Sequence, residues 1–245
     1  MDALIFAAGI GSRLQPITNE VPKALAEICG VTLLEIAVRK LKSAGCDKIV
    51  INVHHFPDKI ISFIHSKNNF GIDIHISDER ELLLETGGGL RKAGKYLSKQ
   101  EPFFIYNVDI VSTIDLIKLY NTNIRSQAIA TLAVTNRTNS RRLLFSPDNI
   151  LYGWENISTG EIKMSRKKVK GLKEMSFSGI QVVRPEIFNF MPDKEVFSII
   201  ELYLNIAGIQ AINSFDHSDT SWIDVGNPEN LAYVNKNPEM FNLQF

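Results

Sequence analysis

The feature that most constrains this chain is an alternation. Through residues 1–135 a short apolar run leads into a turn, a helical stripe follows, and the cycle repeats. The runs at 3–8, 48–53, 72–77, 102–109 and 128–134 read as strands. Residues 33–44 carry apolar side chains at 33, 34, 37, 38 and 41 and stop at Gly45, a helix with a C-cap. Further helices are expected from Pro57, over 87–97, and behind Asp115, which is placed as an N-cap. Strands separated by helices pair side by side in one direction. The alternation therefore predicts an α/β fold, a Rossmann-like, mostly parallel sheet flanked by helices. Such sheets bind ligands beyond the carboxyl ends of their strands. Three segments fall there: the loop from Gly9, Asn107-Val108-Asp109, and the residues after Ser77.

After residue 136 the rhythm changes to short strands at 143–145, 150–154 and 161–164, separated by turns. The basic segment 166–173 reads as a loop, 177–183 and 209–215 as strands, and 197–207 as an amphipathic helix. Pro228 opens the last helix. No linker or repeat divides the 245 residues, so one domain over 1–245 with a small inserted β region is the simplest organisation. Lys+Arg equals Asp+Glu, which argues against a nucleic-acid binder. No run approaches the ~20 apolar residues of a membrane span, and residues 3–8 are too short for a secretion signal core, so a cytoplasmic protein is expected. Cys29 and Cys46 form no CxxC pair and read as reduced, packed thiols.

The first loop, AAGIGSRLQPITNEVPK over 7–23, carries the chemistry. A glycine turn after a strand presents main-chain N–H groups to an anion. The dinucleotide fingerprint GxGxxG fails, because Leu14 occupies the third glycine position, and no Gly-Lys-Ser/Thr completes a Walker A loop. Arg13 and Lys23 instead place one cation on each side of the loop, suited to a triphosphate lying along it. Asp109, at the tip of an apolar strand, reads as a Mg²⁺ ligand, and Asp224 in WIDVG is the candidate second carboxylate.

These residues resemble the sugar-phosphate nucleotidyltransferases, whose signature GxGxRLxPxTxxxPKxL is matched at every fixed position from Gly9 to Leu25. The likeness continues through LETGGGL, NVD, FSGIQVV and WIDVG. It is nearest to short members such as the N-acetylmuramate 1-phosphate uridylyltransferases and mannose-1-phosphate guanylyltransferase-like proteins. The resemblance implies a nucleotide-diphospho-sugar transferase fold, GT-A-like, with a nucleotide-binding half over 1–135 and a sugar-phosphate-binding half over 136–245. The implied reaction joins an NTP to a sugar 1-phosphate, with guanylyl or uridylyl transfer both open. Arg13, Lys23 and Asp109 would be catalytic, and Asp109 with Asp224 would hold Mg²⁺. Ala7, Ala8, Gly9, Gly11, Ser12, Arg13, Lys23, Glu79, Glu85, Thr86 and Gly87 would bind the nucleotide. Asn107, Lys163, Ser178 and Gly179 would bind the sugar phosphate. The substrates are then the only partners expected, besides a homo-oligomer. A non-catalytic nucleotide sensor on the same fold is the alternative, and the presence of Arg13, Lys23, Asp109 and Asp224 favours the enzyme.

Departures from the pattern mark open points. Val108 stands where many relatives have glycine, and Gly160-Glu161-Ile162-Lys163 stands where many have Glu-Lys-Pro. The basic stretch 137–142 reads as a solvated turn, with contact to an acidic or phosphorylated sugar as the other reading. Asp78 and Glu79 lie where relatives use Gln to read the base, and a carboxylate there leans toward guanine, which offers N1–H and N2–H₂. His54 and His55 read as loop residues, and Phe188, Phe190 and Phe197 as core or oligomer surface.

Overall fold

A computed structural model describes residues 1–243, so the last two positions of the expected domain lie outside the described residues. In chain order, β1 (Asp2–Phe6) leads through the glycine loop to a small hairpin, β2 (Glu27–Ile28) and β3 (Val31–Thr32). Then follow α1 (Leu33–Ser43), β4 (Lys48–Val53), α2 (Pro57–Ser66), β5 (Asp73–Asp78) and α3 (Glu85–Ala93). The strand β6 (Phe103–Asn107) runs into β7 (Ile110–Ser112), α4 (Leu116–Ser126) and β8 (Ala130–Thr135). The later part holds β9 (Arg141–Phe145), β10 (Leu151–Asn156), β11 (Glu161–Met164) and the long β12 (Lys173–Val183). It closes with α5 (Ile199–Ala207), β13 (Ile212–Asp216), β14 (Trp222–Asp224) and α6 (Pro228–Lys236).

The expected parallel core is present: β6, β1, β4 and β5 lie side by side in one direction. Beyond β6 the sheet turns mixed. β12 pairs antiparallel with both β6 and β8, and β13 adds to β8 in parallel. Strand β8 therefore joins the sheet through β12 and not through its chain neighbour β6. A period of two marks a strand without giving its direction.

Alternate residues of β1 point to opposite faces, as the pleat requires. Ala3 and Ile5 join the core under α1, α2, α4 and α6, while Leu4 joins the core under α3 and α5. Both faces are thus covered, which is why these strands are apolar throughout. Helix starts follow the capping rules. Asp115 accepts from the Lys118 N–H at 2.8 Å, as expected, and Thr32 and Asn227 cap α1 and α6 in the same way. The segment from Pro185 is a 3₁₀ turn, Pro185–Phe190. Among the described residues, no helix is long and apolar enough to cross a membrane.

Candidate active site

The carboxyl ends of β1, β4 and β6 open onto a cleft of about 540 Å³, within the ordinary range for ligand sites. Ala7, Ala8 and Gly9 form its floor at one end, and Asn107 and Asp109 line the other. Asp109 follows β6 directly and is almost wholly buried. Lys23, 86 residues earlier, forms an ion pair with it. Arg13 reaches Asp224 at 3.2 Å, across 211 residues of chain. The antiparallel pairing of β7 with β14 delivers this second carboxylate, placing Asp224 opposite Ile110.

Gly226 explains how three of these groups meet. A methyl group there would stand 2.7 Å from Asp224 Oδ1, 2.9 Å from Arg13 Nη2 and 3.0 Å from Lys23 Nζ. Two cations and a carboxylate thus converge on one point that any side chain would fill. The Gly226 N–H also donates to Asp224 at 2.7 Å. Burial acts to raise the Asp224 carboxyl. The Gly226 N–H, Lys23 and Arg13 outweigh that, and it sits below the usual range. Burial pushes Asp109 up, with Lys23 opposing and Asp224 beside it reinforcing the rise. The described residues contain no cluster of three or more His, Cys, Asp or Glu. Two neighbouring carboxylates beside the cleft suit Mg²⁺, which takes one or two carboxylates and completes its shell from substrate phosphates and water. The donor set therefore fits the expected ion.

At the other end, an amide buried beneath the loop organises the main chain. Asn52, from β4, accepts from the Ala7 and Ala8 N–H groups at 2.7 and 3.3 Å. Its Oδ1 being so used, its Nδ2 donates to Glu79 at 2.8 Å. The second Glu79 oxygen accepts from the Leu84 N–H at 3.4 Å. Glu79 is fully buried, and that burial pushes its carboxyl upward. Asp78 pairs with Arg80 instead. His54 is held by the Glu79 carbonyl at 2.7 Å, a loop contact as expected.

The other expected residues divide. Glu85 and Thr86 line the cleft, and the Thr86 hydroxyl also accepts from the Ile199 N–H at the start of α5. Gly87 serves packing: a Cβ there would come 2.3 Å from Phe197, which is itself core. Gly11 has a φ of 74°, and its carbonyl accepts from the Thr18 hydroxyl. It shapes the loop, with Ser12 beginning the next turn, and neither lines the cleft. Gly179 sits in a bulge of β12 at a φ of 75°, where a Cβ would stand 2.9 Å from Asn107 Nδ2.

Ser178 is turned inward. The Thr220 hydroxyl donates to the His217 carbonyl, so His217 Nδ1 must donate to Thr220 and Nε2 must accept from Ser178, at 2.8 Å each. Lys163 lies across from Trp154 on the β10–β11 ribbon and lines a neighbouring cavity, away from Asp109. The stretch 137–142 is not a solvated turn. Arg137 stacks 3.5 Å above the Trp222 ring and is pushed down to about 10 by burial, with Asp224 opposing. Arg141 lines the cleft, and Arg142 pairs with Glu174. Sequence reasoning gave Asn52 no role, and Gly226 none beyond closing the WIDVG segment. An asparagine inside an apolar strand and a glycine two residues past a candidate metal ligand were the available signals.

A cleft at the strand ends, with paired acids and cations at one side and bare main chain at the other, defines a phosphoryl-handling α/β protein. The sequence profile described as Nucleotidyl transferase matches residues 2–143, and the chain belongs to that family. It is 30% identical over 235 residues to the N-acetylmuramate alpha-1-phosphate uridylyltransferase of Caulobacter vibrioides, covering 93% of this chain and 92% of that one. It is 27% identical to the mannose-1-phosphate guanyltransferase of Yarrowia lipolytica, covering 98% of this chain and 67% of that one. Its fold matches the crystal structure of HddC from Yersinia pseudotuberculosis with a TM-score of 0.77 at 20% identity, over 96% of this chain and 98% of that one.

Proposed function

We propose that this protein transfers a nucleotidyl group from an NTP to a sugar 1-phosphate, giving an NDP-sugar and pyrophosphate. The observation that carries this reading is the convergence of Arg13, Lys23 and Asp224 on Gly226, with Asp109 paired to Lys23, beside the cleft. A phosphate monoester, with a second pKa of about 6, is already a nucleophile near neutral pH, so no Ser, Cys or His base is needed. Its oxygen attacks the α-phosphorus. The new O–P bond forms as the bond to the bridging oxygen of the β-phosphate breaks, and pyrophosphate leaves with that electron pair. Lys23 and Arg13 offset the charge on the phosphoryl oxygens, and Asn107 orients the incoming phosphate. Ala7 and Ala8, having small side chains, let the nucleoside approach the main chain. Mg²⁺ held by Asp109 and Asp224 would supply further charge neutralisation between the two phosphate groups.

The base is read as uracil. The sequence lean toward guanine needed a free carboxylate, and both Glu79 oxygens are engaged by Asn52 and Leu84. The uridylyltransferase relatives, at 30% and 29% identity, support the same choice. The test is to incubate the purified protein with each NTP, a panel of sugar 1-phosphates and Mg²⁺, and to follow pyrophosphate. Release with UTP above the other NTPs is expected. Silence across the panel, with NTP binding intact, would return the sensor reading, and a preference for GTP would overturn the choice of base.

A further inference from the structure

A second cavity, of about 570 Å³, adjoins the first and shares Arg141 and Ser198 with it. One wall is the ribbon of β9, β10 and β11. Trp154 stands opposite both Leu143 and Lys163, and Arg141, two residues before Leu143, falls on the same face. The facing wall is α5, through Ile200 and Leu204, one turn apart. The cavity thus has apolar sides, one cation at its mouth and a second inside.

The charges around it are unequal in their commitments. Glu201 also lines the cavity, and Lys194, at 2.7 and 2.9 Å from its two oxygens, balances its charge. Lys163 pairs with Glu161 at 3.1 Å, yet the two side chains are 59% and 50% exposed. Such a pair is weak, and two ammonium donors remain. Arg142 is tied to Glu174 and Glu155, whereas Arg141 makes no ion pair among the described residues. The available charge at this junction is therefore positive. Arg141 lines the same cleft as Asn107 and Asp109, within the space open to a sugar whose 1-phosphate meets those two residues.

We propose that the second cavity receives a further anionic group carried by the sugar, a carboxylate or phosphate remote from C1, and that Arg141 and Lys163 select for it. This rests on the sugar 1-phosphate reading above. The test compares matched pairs of sugar 1-phosphates with the best NTP. N-acetylglucosamine 1-phosphate against N-acetylmuramic acid 1-phosphate tests a carboxylate arm, and glucose 1-phosphate against glucose bisphosphate tests a second phosphate. In one pair kcat/KM is expected to favour the anionic member by roughly tenfold or more. Arg141→Ala with Lys163→Ala should bring that ratio close to one, mostly through KM, and Lys163→Glu should lower it alone. Turnover with ratios near one in both pairs, or a preference that survives the double substitution, would overturn this proposal alone. No turnover with any pair would overturn the reading beneath it and this proposal together.

Discussion

The cleft and the cavity that adjoins it are built from different materials. At the proposed nucleotide end, in the cleft, the walls are main chain and small side chains, held from behind by Asn52 and Glu79, neither of which is exposed by more than 3%. At the proposed sugar end, toward the second cavity, the working groups are long cationic side chains on an edge ribbon, with Lys163 59% exposed. Buried polar groups are costly to leave unpaired, while exposed ones are solvated whatever their partner does. The nucleotide end should therefore resist substitution, and the sugar end should change selectivity freely. At the charged centre around Asp109, substitution should affect chemistry more than folding.

That centre gives the largest expected effect. Asp109→Asn keeps the shape of a buried side chain and removes the charge that Asp224 opposes. Turnover should fall by roughly 10² to 10³, the scale on which removing one electrostatic group acts, while the thermal midpoint holds or rises. A variant of near-normal rate would show that the centre is not where the chemistry occurs.

The contrast between the two ends is tested by pairing Asn52→Leu with Lys163→Leu. The first leaves one Glu79 oxygen and two main-chain N–H groups without their Asn52 partner. A cost of about 2–4 kcal/mol in chemical denaturation is expected, with a raised KM for the NTP. The second should stay within about 0.5 kcal/mol of wild type. Equal losses would mean that the two ends do not differ as described.

A smaller effect is expected at the join of β12 and β6. Gly179→Ala must hold a φ of 75° and press against Asn107 Nδ2 at 2.9 Å. About 1–2 kcal/mol should be lost from the left-handed conformation alone. The displaced Asn107 should raise KM for the sugar phosphate more than for the NTP. A uniform change in both would place Asn107 outside the sugar-phosphate contact.

These contrasts also show what was legible in the sequence. Arg13 and Lys23 lie within one loop, so their spacing along the chain is enough to carry their meaning. Asp109 announced itself as a charge at the end of an apolar run. Asn52 did not, because its worth comes from Ala7, Ala8 and Glu79, all of which reach it through strand pairing and loop return. The role of Gly226 was invisible for the same reason: what needs its missing side chain is Arg13 and Lys23, two hundred residues away. Lys163 is the opposite case: its residue type was legible, but its place on a ribbon that faces a second cavity follows from strand pairing. The direction of β12 was likewise beyond periodicity, and with it the bulge that brings Gly179 to Asn107.

The smallest expected effect concerns the inner support of the sugar end, where His217 behaves like the buried residues of the nucleotide end. It is 1% exposed and bridges Ser178 and Thr220. Burial, with Arg137 adding to it and Asp216 and Asp219 opposing, pushes it down to about 4 from an ordinary 6.5. The folded protein thus holds it neutral where the unfolded chain takes a proton. Its contribution is complete above the ordinary value and is lost as pH falls from 6.5 toward 4. Glu79 and Asp109, both raised by burial, act with the opposite sign at the acid side of this window, so the total curve alone does not isolate His217. The difference between wild type and His217→Gln does. Near neutral pH the variant should be the less stable, having lost one of two buried hydrogen bonds, and the gap should close as pH falls toward 4. A gap that stays constant across this range would mean that His217 takes its proton as readily folded as unfolded, and it would then not behave like the buried groups around Asn52 and Glu79.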